Sequence, residues 1–159
     1  MTPFTVVHVI ISLLAILSGL VVVFGMITGK SSEVLTGFFL ATTVATSVTG
    51  FCYFPFLGFT PGQAFGILSM ILLGLAIYGL YVKHCTGNWR WIYVVTAAAS
   101  LYLNCFVLVL QSFEKIPVLK ATGANSPLFI VAQLVTAAVL ITGGVLATRR
   151  FVPAASASA

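Results

Sequence analysis

The sequence predicts an all-α integral membrane bundle of five transmembrane helices, and three observations predict it. Only 6% of the 159 residues are charged and 60% are hydrophobic, against about 25% charged in a soluble domain, and the mean hydropathy is +1.19. Five runs, residues 4–27, 34–54, 64–82, 91–113 and 128–148, contain no Asp, Glu, Lys or Arg. A helix rises about 1.5 Å per residue, so about 20 residues cross a hydrocarbon core of about 30 Å, and every run is long enough. Residues that start helices stand before each of them.

The first run lacks a basic leader, and its apolar stretch exceeds the roughly 7–15 residues of a signal core, so it is expected to remain in the mature protein. Thr2-Pro3 precedes it. Thr60-Pro61 and Ser126-Pro127 precede the third and fifth runs in the same way. A hydroxyl at the N-cap accepts from a free N–H of the first turn, and proline loses nothing at the first helical position. Thr60 with Gln63 also fits a capping box. Ser31-Ser32 and Asn88 are the corresponding caps for the second and fourth runs. The second run is the most polar, with Thr36, Thr42, Thr43, Thr46, Ser47 and Thr49. Such hydroxyls can bond back to the carbonyl four residues earlier, which keeps them tolerable in lipid. Gly29 is the expected C-cap of the first helix, and Gly25 four residues before it permits close packing.

With five crossings, Lys30, Lys83, Arg90, Arg149 and Arg150 fall on one side and only Lys115 and Lys120 on the other. The positive-inside rule then puts the N-terminus outside and the C-terminus in the cytoplasm. Interfacial aromatic belts are expected at Tyr78, Tyr81, Trp89, Trp91 and Tyr93 inside, and at Phe51, Tyr53, Phe54, Phe56 and Phe59 outside. Residues 1–150 form one transmembrane domain, and residues 151–159 are expected to be a disordered tail. The connection 114–127 is the longest, with the length of a loop that binds a partner or serves as a lid. A net charge of +5 does not indicate nucleic acid, because the basic residues are scattered over segment ends.

Several chemistries are excluded. No C-x-x-C joins Cys52, Cys85 and Cys105, and neither G-x-x-x-x-G-K-[ST] nor H-E-x-x-H occurs. The two acidic residues, Glu33 and Glu114, fall on opposite sides, which argues against a two-carboxylate mechanism or a carrier built on a buried acid. No enzyme activity, metal or cofactor is indicated. His8 and His84 belong to opposite ends of the bundle, so one haem iron cannot join them.

The candidate intramembrane polar site lies on the fourth helix. Tyr93, Ser100, Asn104 and Gln111 recur at spacings of seven, four and seven, which puts them on one stripe. An unpaired Asn104 amide would cost several kcal/mol in hydrocarbon, so it must face another helix or a wet cavity. Gln133 and Thr136, or Thr43 and Ser47, are its candidate partners. Such a stripe serves either as interhelical glue or as a ligand or permeation path. His8 shares a small, polar face with Ser12, Ala15 and Gly19, and is either an interface residue or a functional one.

The blocks Ala41-Thr-Thr-Val-Ala-Thr-Ser-Val-Thr-Gly-Phe51 with Phe54-Pro-Phe56, and Trp91-Ile-Tyr-Val-Val95 with Leu101-Tyr-Leu-Asn104 and Lys115-Ile-Pro117, resemble an uncharacterised family of small polytopic inner-membrane proteins of bacteria. The resemblance implies a bacterial inner (cytoplasmic) membrane location and carries over no catalytic residue. The expected role is that of a non-enzymatic accessory or structural component that packs, within the lipid bilayer, against a membrane-protein partner or a second copy of itself. The alternative is a small transporter or binding protein for a neutral or lipophilic molecule, using Asn104, Gln111, Gln133 and His8. A haem or quinone redox helper built on His8 is the weaker third reading.

Overall fold

A computed structural model describes residues 3–53, 61–123 and 126–153, with the backbone alone for Cys52, Tyr53 and residues 61–63. The elements are α1 (Pro3–Thr28), α2 (Glu33–Tyr53), α3 (Pro61–Ile77) with a π-helical turn (Tyr78–Val82), α4 (Trp89–Lys115), the single turn α5 (Pro117–Lys120) and α6 (Pro127–Arg150). Five helices are long and apolar enough to cross a membrane, the architecture of a multi-pass membrane protein. The expected caps at Thr2 and Thr60, the Gln63 side chain, the aromatics at 53, 54, 56 and 59 and the tail 154–159 lie outside the description.

Helix ends follow the residues that stand there. Lys30 N–H donates to the Gly25 carbonyl at 2.9 Å, and Gly29 between them has φ +72°. This six-to-one bond around a left-handed glycine is a Schellman end. Gly25 therefore serves the cap of its own helix: a Cβ there would lie 2.9 Å from the Lys30 carbonyl oxygen. The Ser32 hydroxyl accepts from Leu35 N–H, and that of Ser126 from Phe129 N–H at 3.2 Å. Asn88 makes no side-chain cap, contrary to expectation. The reason is local: Trp89 and Arg90 N–H already donate to the carbonyls of Thr86 and Gly87. Extended backbone at Ile116 before Pro117 ends α4. The turn α5 lies inside what reads as one long loop.

The polar second run is a helix, and its hydroxyls bond inward to their own backbone. Thr42, Thr43, Thr46, Ser47 and Thr49 each donate to the carbonyl four residues earlier, at 2.7–3.0 Å. These five hydroxyls therefore need no partner in lipid.

Helix α4 is central and touches α1, α2, α3 and α6. Gly19 of α1 marks the tightest junction: a Cβ there would lie 2.7 Å from both the Leu101 and Phe39 side chains, which are themselves fully buried. Gly143 and Gly144 let α6 approach Val23 of α1 and Ala98 of α4. Phe65 and Phe106 hold α3 to α4 with ring centroids 5.1 Å apart. The 29–32 and 83–88 connections and the segment after α6 meet at one end of the bundle, where Ser31, His84 and Phe151 line one cavity. Lys30, Lys83, Arg90, Arg149 and Arg150 flank that end, while Lys115 ends α4 and Lys120 ends α5 at the other.

Two expectations at this end are corrected. Tyr93 is not an interfacial belt residue, being only 1% exposed, because its ring packs against Phe151 and its hydroxyl faces Thr36 inside the bundle. Phe151, counted with the tail, is buried against the Tyr93 ring at 5.5 Å, and Arg90 donates to its carbonyl at 3.2 Å.

Gly19→Val forces a branched side chain into the α1–α2–α4 junction and should cost about 1–3 kcal/mol. Gly74→Val, where nothing lies within 4 Å, should leave the thermal midpoint in detergent within a degree or two. Equal losses from both substitutions would contradict the junction.

Candidate functional site

Polar side chains gather in two zones inside the bundle. The first is a seam between α2 and α4. Both helices leave the same end, where Thr36 and Tyr93 face each other across them. Thr43 and Ser47 follow Thr36 at seven and eleven residues, and Ser100 and Asn104 follow Tyr93 at the same intervals. Equal rise carries each pair to about the same depth. Thr43 and Ser100 are fully buried, and Ser47 donates to Ser69 of α3 at 3.3 Å.

Asn104 ends this seam. Its Nδ2 is buried without a partner, and so is Oε1 of Gln133. Gln133 does not meet Asn104 through its amide nitrogen, which donates to the Phe106 carbonyl at 3.2 Å. Thr136 donates to the Ala132 carbonyl of its own helix. Gln111 is half-buried near the far end of α4.

His8 is an interhelical contact. Its Nδ1 lies 2.8 Å from the Thr49 hydroxyl, its ring packs 3.4 Å from where a Cβ on Gly50 would stand, and its carbonyl accepts from Ser12. The Thr49 hydroxyl also lies 2.7 Å from the Ala45 carbonyl of its own helix. Ala15 and Gly19, below it on the same face, are buried. His84 stands beyond the opposite end of α1, about 30 Å away at 1.5 Å per residue over some 20 residues.

The second zone is a cavity of about 200 Å³ at the end bearing five basic residues. Thr36, Cys85, Tyr93 and Phe151 form its buried floor, and Ser31, Ser32, Glu33, Tyr81 and His84 its exposed rim. The local chain path explains its shape. In the π-helical turn Lys83 N–H reaches back five residues to the Tyr78 carbonyl, and Cys85 N–H reaches six back to Gly79. His84 and Cys85 then take left-handed φ values of 48° and 53°, which non-glycine residues adopt at a cost of about 1–3 kcal/mol each. Gly79 gives Trp89 and Tyr93 room to close on the turn, and Trp89 stacks edge-on against Tyr78 at 5.1 Å.

Burial pushes the Cys85 thiol up to about 11. It therefore stays protonated at neutral pH and is neither a nucleophile nor a ready metal ligand. Among the described residues no three His, Cys, Asp or Glu side chains cluster to hold a metal ion.

The sequence-derived site and the cavity share only Tyr93. Asn104, Gln111, Ser100, Gln133 and His8 line neither this cavity nor a smaller one of about 140 Å³ between α1 and α2. The residues missed by sequence are Glu33, Thr36, Tyr81, His84, Cys85 and Phe151. Helical spacing relates residues within one helix, and these come from three chain segments. Comparison with known proteins supplies no relative: no family model, curated protein or solved structure matches the chain.

Asn104→Leu keeps the volume and removes a donor that has no acceptor, so the thermal midpoint in detergent should hold or rise. Ser100→Leu, one turn earlier at a fully buried position, should cost about 1–3 kcal/mol by overpacking. A loss at Asn104 as large as that at Ser100 would mean that the amide has a partner.

Proposed function

We propose that the chain is a non-enzymatic multi-pass membrane protein that binds or carries a small molecule, taken up in the cavity between the ends of α2, α3 and α4. The observation that carries this reading is the cavity itself: an open rim of polar side chains over a buried floor. Thr36 and Tyr93 of that floor are also the first pair of the polar seam. Its volume of about 200 Å³ lies below the roughly 300–1,000 Å³ of drug-sized pockets, so the molecule is small. The accessory reading, with the bundle packed against another membrane protein, rests on the apolar outer faces of α1 and α6, and every spanning helix presents such faces to lipid. The cavity favours binding.

In this proposal the cavity opens to the cytoplasm. Five basic residues flank its end and two the other, and the positive-inside rule orients such an excess inward, leaving the N-terminus outside. The resemblance noted for the sequence supports the inner membrane of a bacterium as the location.

Two measurements test it. Native mass spectrometry of the detergent-extracted protein should show a retained small molecule, lost in Ser31→Trp, which blocks the rim, with the thermal midpoint unchanged. A bare wild-type chain that leaves the membrane at fixed stoichiometry with a second membrane protein would favour the accessory reading instead. For orientation, single cysteines at Val118 and Thr86 in a cysteine-free background should differ in intact cells. A membrane-impermeant maleimide should reach position 118 at once and position 86 only after permeabilisation. Labelling of both from outside would overturn the assigned sidedness.

A further inference from the structure

Resting on the binding reading, we infer that the cavity recognises a small organic cation of the alkylammonium class. Three of its lining side chains are aromatic rings, Tyr81, Tyr93 and Phe151, and a fourth is the carboxylate of Glu33, one of the two acidic residues in the chain. The faces of aromatic rings attract cations electrostatically, and cages of such rings are a recurrent means of holding quaternary ammonium groups. A carboxylate at the rim adds a charge of the right sign where the cavity meets water.

The distribution of the protein's own cations supports this assignment. Five of seven basic residues flank this end of the bundle, yet none of the described lining residues is Lys or Arg. Lys83 lies over the Tyr78 ring, 5.6 Å from its centroid, and Arg90 donates to the Phe151 carbonyl. Glu33 is thus the one Asp, Glu, Lys or Arg among the described residues that line the cavity. The volume also matches: about 200 Å³ is the space of some seven waters at about 30 Å³ each, and choline has about that many non-hydrogen atoms. A cation, rather than the neutral molecule expected from sequence, is compatible with the absence of acidic residues from the spans. The site lies at the mouth, and the charge never has to enter hydrocarbon to reach it.

The test is titration calorimetry on the full chain purified in a maltoside detergent, which carries no ammonium group. Choline should bind, and its neutral isostere 3,3-dimethyl-1-butanol should bind at least tenfold more weakly. Glu33→Gln and Tyr81→Leu, both at exposed positions, should each weaken choline at least fivefold without lowering the thermal midpoint. Glycerophosphocholine separates two sources of the same chemistry. Tighter binding than choline assigns the site to a lipid headgroup, and weaker binding to a free amine. If the alcohol binds as well as choline, recognition of the cation is overturned while the cavity remains a binding site. If neither binds and the wild-type protein retains no small molecule, both the inference and the binding reading fail.

Discussion

Hydrocarbon offers no hydrogen-bond partner, so each backbone or side-chain polar group in the spans must be paired inside the protein. The rest of the architecture follows from that constraint. It dictates helices, and it explains why a second span crowded with Thr and Ser is stable as one. Each of its back-bonding hydroxyls has an acceptor one turn away on the same helix. It also explains where the chain departs from α-helical geometry. The π-helical turn, the left-handed residues and the Schellman end all stand at helix ends, within reach of water. Among the described residues two side-chain atoms break the rule, on Asn104 and Gln133, and both belong to the stripe and partner set that sequence spacing had picked out.

Length and the absence of charge made the five helices legible, and capping residues made several ends legible. Ser126 caps through its side chain as its type and position require, and Gly29 takes the left-handed angle that a Schellman end requires. Asn88 has the right type for a cap and does not act as one, since a tight preceding turn supplies backbone carbonyls first. Tyr93 fitted two patterns at once, a belt and an inward stripe. Burial against Phe151 and beside Thr36 decided for the stripe, and no count along the chain reveals such neighbours. The cavity was illegible for a related reason. Its walls come from four segments, the starts of α2 and α4, the turn after α3 and the chain after α6, and left-handed backbone at His84 and Cys85 has no signature in residue type.

The two polar zones differ in chemical character. The seam between α2 and α4 is made mostly of hydroxyls, several engaged with their own helices and Ser47 with Ser69, and it ends at the unpaired Asn104 amide. The cavity has an exposed polar rim of Ser31, Ser32, Glu33, Tyr81 and His84 over a buried floor. Thr36 and Tyr93 belong to both zones, so the cavity floor is set by the same helix pair.

The cavity wall contributed by Phe151 comes from behind α6, the span with the smallest buried share. That wall exists only while α6 is seated on α1 and α4. A displaced α6 would turn the cavity into an open trough. For a molecule of the proposed kind, occupancy and the docking of α6 would be one equilibrium observed from two sides.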